Sequence, residues 1–214
     1  MVWREEIQRD SAAIKLDDML GDLWLRGIPV IPVEILPAPS FQAIACIVEE
    51  RPVILICHKH DEPGRVAFLI AHETGHIAEG DCAPEHPVVD EEEGIVDDTD
   101  IEIKAEQYAR HVLVGSDSVP TLDDGEFRQL AKDAASQERE TGADAGAIIA
   151  AWAATTHDYA KATMALKALY RSSGARQRIR YHFNSNVDLE AATESDRNLL
   201  RCVYGESELY ETAR

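Results

Sequence analysis

The chain has 214 residues, 45% of them apolar and 29% charged, with 40 acids against 21 Lys and Arg and a net charge of −19. That length can bury a substantial core in one domain or two small ones, and the composition excludes disorder throughout. The acidic balance argues against broad electrostatic binding to DNA, RNA or an anionic membrane. No run approaches the roughly 18 to 20 apolar residues of a membrane span, so a soluble chain is expected.

Ile7, Ile14, Leu16, Leu20 and Leu23 recur at loosely helical intervals and predict a helix from about Arg4 to Leu25, ended by Gly27 and Pro29. Residues 28–39 hold four prolines and suit a connector or strand edge. Two short apolar runs, 42–48 and 53–57, flank Glu49-Glu50-Arg51-Pro52 and predict a β-hairpin. A polar loop follows to Pro63-Gly64, then a helix from about Arg65 to Glu79, stopped by Gly80. Between Asp81 and Glu102 stand ten acids and no Lys or Arg, which reads as a solvated loop. A further helix runs from about Asp100 through Leu113 and breaks near Gly115 and Pro120. The last hundred residues read as almost wholly helical, clearest at Ala143 to Leu169, with a mixed stretch from Arg180 to Asn186.

The N-terminus lacks an apolar signal region, so export is not expected. Cys46, Cys57, Cys82 and Cys202 show no C-x-x-C spacing, which suits reduced thiols in a cytoplasmic setting and disfavours zinc held by a cysteine cluster.

The chemistry centres on Ala71-His72-Glu73-Thr74-Gly75-His76, an H-E-x-x-H phrase on a helix. Side chains at i and i+4 share one face, so His72 and His76 can offer both imidazoles to one zinc ion. Glu73, one position round, is the candidate general base toward a reacting water. Phe68, Leu69, Ile70 and Ala71 make the preceding turn a core helix rather than a solvated charge stripe. The third ligand would be a carboxylate from the helix after the acidic loop. Glu102 and Glu106 share a face there; one would ligate, and the other would accept a hydrogen bond from a ligating imidazole. A solvated acidic face is the competing reading, and Tyr108, Ala109, Val112 and Leu113, which make the helix amphipathic, argue against it.

These phrases resemble the ImmA/IrrE metallopeptidases, in which an apolar hairpin precedes a helix like F-x-x-A-H-E-x-G-H, a variable loop and a helix like E-x-E-A-N-x-F-A-x-x-L-L. Phe68 to His76 matches the first phrase, including Ala71 and Gly75. In the second, Glu102, Ala105, Tyr108 and Ala109 match or stand close, whereas Lys104 replaces the second Glu and Glu106 replaces Asn. The resemblance implies Glu102 as the third zinc ligand and Glu106 in the supporting position. It also implies a zinc-dependent endopeptidase that cleaves or inactivates a helix-turn-helix repressor or antitoxin during stress or mobile-element induction. The alternative is a non-catalytic zinc-containing regulator or toxin component that acts by binding its partner.

The expected architecture is α+β, mainly helical, with about three strands beside the H-E-x-x-H helix. A metallopeptidase-like domain would occupy 1–115 and a helical subdomain 116–214. Direct nucleic-acid or membrane contact is not expected. Residues 161–180 hold six of the 21 basic residues and no acid, leaving the remainder more acidic still and suited to a basic protein partner. Cys57, His58 and His60 are weaker metal candidates, and His157 and Tyr159 are better explained by packing.

Overall fold

A computed structural model describes residues 2–7, 13–33, 41–57, 59, 61–83, 87–90, 100–116, 120–122, 125–170 and 174–204. The fold is α+β and mostly helical, with a four-stranded sheet in place of the three strands expected. Strands β2 (Ala43–Val48) and β3 (Arg51–Ile56) form the predicted hairpin, with Ala43 opposite Ile56 and Val48 opposite Arg51. Its two turn residues, Glu49 and Glu50, both have positive φ, 49° and 66°. This backbone matches the twist of a tight hairpin but favours Asn-Gly over two glutamates.

β1 (Val30–Pro32), in the proline-rich connector, pairs parallel with β3. β4 (Val88–Asp90) pairs antiparallel with β2, giving the order β1-β3-β2-β4. β4 is the strand missed: three residues inside an acidic stretch carry too little pattern to read, and its pairing with β2 is non-local.

The sheet's buried positions include Ala43, Ala45, Ile54 and Ile56. Helix α3 (Pro63–Glu79) packs on this surface, started by Pro63 in its first turn and stopped by Gly80 at φ 80°. Every residue from Gly64 to His76 is buried. A helix covered on all sides must be central. The sheet covers one side of α3, while α4 (Asp100–Val114), α6 (Ala145–Thr156) and α2 (Leu16–Leu25) cover the others.

Glycines set how closely these helices approach. A Cβ on Gly64 would stand 2.5 Å from the Ala147 backbone nitrogen of α6, and one on Gly75 would stand 3.0 Å from the Ala105 Cα of α4. Asp144 caps α6 by accepting from the backbone of Gly146 and Ala147, and it also accepts from the Tyr170 hydroxyl at 3.0 Å.

The single helix expected over 4–25 is two helices, α1 (Val2–Ile7) and α2. Trp3 of α1 stacks on Tyr108 of α4, with ring centroids 6.2 Å apart, and the Arg4 guanidinium donates to the Val112 carbonyl near the C-terminus of α4. The stretch from Arg180 to Asn186, expected to be mixed, continues helix α8 (Ala175–Asn186), which packs on α2 and β1. The long helix expected over 143–169 breaks at His157 and Asp158 into α6 and α7 (Tyr159–Leu169); Asp158 caps α7 by accepting from the Lys161 backbone.

α5 (Phe127–Thr141), α6 and α7 enclose a second apolar cluster around Leu130, Ile148, Trp152 and Leu166. The division expected near 115 does not separate the packing. α6 gives Ala147, Ala150, Ala151 and Ala154 to the core around α3 and Ile148, Ile149 and Trp152 to the other cluster, while Ala175 and Ile179 of α8 join the first. α9 (Glu194–Tyr204) completes the described elements. Among the described residues, no helix is long and apolar enough to cross a membrane.

Candidate metal centre

Three donors converge where α3 meets α4. The Nε2 atoms of His72 and His76 lie 3.1 Å apart, their ring planes 82° to one another. Glu102 reaches across from α4, placing Oε2 3.0 Å from His72 Nε2 and Oε1 3.5 Å from His76 Nε2. His72, His76 and Glu102 are the one group of three or more potential ligands close enough to share an ion among the described residues. Donors about 2.0–2.2 Å from a tetrahedral ion stand about 3.3 Å apart, so the observed separations fit one divalent cation.

The convergence has a packing cause. Gly75 lies on α3 one residue before His76, and Ala105 lies one turn after Glu102 on α4. Their close approach brings the α4 backbone near enough for a glutamate side chain to reach both rings.

His76 is fully buried, His72 is nearly so, and the Glu102 side chain keeps 22% of its exposure, so the group opens toward solvent on the α4 side. Burial disfavours the Glu102 carboxylate, but hydrogen bonds from His72 and His76, reinforced by their charge, bring its pKa down to about 2. Burial likewise disfavours the His76 imidazolium, yet Glu102 and then Asp81 outweigh it and raise its pKa. This is anionic surroundings acting on imidazoles, which a bound cation would relieve.

Glu73 is fully buried. Its charge adds to desolvation in raising the pKa of both Cys46 on β2 and Cys82 after α3, the latter to about 11. Cys46 and Cys82 form no disulfide among the described residues.

Glu106, expected to support an imidazole, pairs instead with Arg110 at 3.3 Å one turn along α4. Burial raises its pKa against the opposing charges of Arg110 and His72. The carboxylate that does meet a candidate ligand's outer nitrogen belongs to Asp81, whose Oδ2 lies 3.2 Å from His76 Nδ1. In the sequence, Asp81 reads as the first acid of the solvated loop. The available signal was its position directly after the helix-stopping Gly80, five residues beyond His76.

Of the weaker candidates, Cys57 is partly buried at the end of β3, and His58 and His60 lie outside the described residues. His157 caps α6 at φ 57° with its ring 6.4 Å from that of Tyr159. The basic stretch is tied to acids of the same chain, with Arg178 on Asp17, Arg176 on Asp61 and Lys161 on Asp158.

Comparisons of the chain with family models, with curated proteins and with solved structures found no match.

Proposed function

We propose that the protein is a zinc-dependent endopeptidase of the ImmA/IrrE type, with His72, His76 and Glu102 as zinc ligands and Glu73 as the general base. The observation that carries this reading is the triangle of two imidazole nitrogens and a carboxylate beside a fully buried glutamate on the same helix. Three protein ligands and a partly open face suit a catalytic zinc better than a structural one, which takes four and closes the site. When bound, zinc supplies polarisation of a scissile carbonyl and acidification of a water.

The chain's own residues would do the rest. His72 and His76, held one turn apart by α3, and Glu102, delivered by α4, fix the ion's place. The Glu73 carboxylate takes a proton from the attacking water and returns it to the departing amine nitrogen.

The substrate proposed is a basic helix-turn-helix repressor or an antitoxin, cut in an extended segment. The net charge of −19 supports a basic protein partner. Incubating the zinc-loaded protein with a helix-turn-helix repressor from the same genome, as wild type and as Glu73→Gln, tests the reading. Cleavage by wild type alone is expected. Equal cleavage by both removes the base, and relief of repression by a zinc-bound but non-cleaving Glu73→Gln protein would favour action by binding alone.

A further inference from the structure

His76 is held twice by one residue. α3 ends on Gly80 in the left-handed conformation, and the turn lets the Asp81 backbone N–H donate to the His76 carbonyl oxygen at 3.0 Å. The same turn brings the Asp81 carboxylate to 3.2 Å from the His76 ring at Nδ1. Nε2, the ring's other nitrogen, faces His72 and Glu102.

An ionised carboxylate can only accept a hydrogen bond, so the Asp81 contact calls for a proton on Nδ1. Where an ion takes the place of a proton at Nε2, that lone pair faces the other two donors. The ring also loses the freedom to rotate, and the negative charge behind it makes Nε2 a better donor. Glu106, the acid expected in this supporting role, pairs with Arg110.

We propose that Asp81 is a positioning residue of the metal centre, holding His76 as the Nδ1–H tautomer and aiming Nε2 at the ion. This rests on the reading of His72, His76 and Glu102 as a metal site and is independent of whether the protein cleaves anything. Gly80 belongs to the same device, because its left-handed backbone directs residue 81 back over the helix end.

The test compares wild type, Asp81→Asn, Asp81→Ala and Glu73→Gln by two measurements. Ring ¹⁵N chemical shifts of His76 in zinc-loaded protein at pH 8 report which nitrogen carries the proton and whether it is hydrogen-bonded. Zinc competition against a chromophoric chelator reports affinity. Wild type should show a proton on Nδ1 in a hydrogen bond to a carboxylate. Asp81→Ala should lose that hydrogen-bond shift and bind zinc about 10–100-fold more weakly, the range typical of outer-shell ligand partners. Asp81→Asn, which keeps an acceptor without the charge, should fall between, and it serves if the alanine variant does not fold.

A wild-type hydrogen-bond shift with unchanged zinc affinity in either folded variant overturns the proposal. Glu73→Gln should bind zinc as wild type does. Wild-type protein that binds no zinc overturns the metal-site reading and this role together, whereas failed proteolysis with normal zinc binding overturns only the proposed enzyme.

Discussion

Gly75 of α3 faces Ala105 of α4 so closely that a Cβ on the glycine would stand 3.0 Å from the Ala105 Cα and 3.2 Å from its carbonyl oxygen. Backbone atoms cannot rotate aside as a flexible side-chain end can. Any side chain at position 75 must therefore push α4, and Glu102 with it, away from the two imidazoles. Alanine gains about 1 kcal/mol of helix propensity against an overpacking cost of about 1–3 kcal/mol, so Gly75→Ala should be near neutral to mildly destabilising. Gly75→Val has no such offset. It should lower stability in chemical denaturation and weaken zinc binding at least tenfold; wild-type values for both would show that the helix contact does not set the site.

Metal binding and the stability of the metal-free protein should depend on pH in different senses. Glu102 has a folded pKa lowered from 4.5 to about 2, so its contribution is present above pH 4.5 and lost as pH falls toward 2. The His76 pKa is raised above 6.5, so its contribution is present below pH 6.5 and lost as pH rises through the folded value. The stability difference between wild type and Glu102→Gln, both metal-free, should therefore peak between about pH 4.5 and 6.5. Zinc must displace protons from the imidazoles, so affinity should instead rise from pH 6 to pH 8. Denaturation and zinc titrations across that range measure both; a stability difference that does not vary with pH would contradict the assigned contacts.

The hairpin turn carries strain that can be removed. Glu49 and Glu50 both hold positive φ, where residues with a Cβ are disfavoured and Asn-Gly is preferred. The double change Glu49→Asn, Glu50→Gly should stabilise by about 1 kcal/mol, a rise in Tm of roughly 2–4 °C. Calorimetry showing a lower Tm would indicate that the glutamates make compensating contacts.

Trp3 joins α1 to the helix that carries Glu102. The residue is 7% exposed, and its ring stacks on Tyr108 and donates through Nε1 to Asp22 of α2. Trp3→Ala should cost about 3 kcal/mol, or roughly 10 °C in Tm. Loss of less than about 1 kcal/mol in urea unfolding would mean that α1 adds little to the α4 packing.

Much of the site was legible because its first half is local. His72 and His76 share a face through helix geometry alone, and that helix announces itself by its apolar run, Pro63 and Gly80. The hairpin was legible for the same reason. What escaped depended on distant partners: β4 is defined by pairing with β2, the helical course of 180–186 by packing of α8 on α2 and β1, and the break at His157 by how α6 and α7 divide the second cluster. Glu106 shows the limit most clearly, since spacing placed it equally well for an imidazole or for Arg110, and only the packed helices select Arg110.

From its sequence alone this protein had a central helix with two imidazoles on one face, because i to i+4 spacing and helix-end signals act within a few residues. Tertiary structure decided which acid joins them and which acid supports them. Glu102 meets the rings because Gly75 admits α4, and Asp81 meets His76 because the chain turns back at Gly80; both depend on three-dimensional approach that no short window of residues encodes.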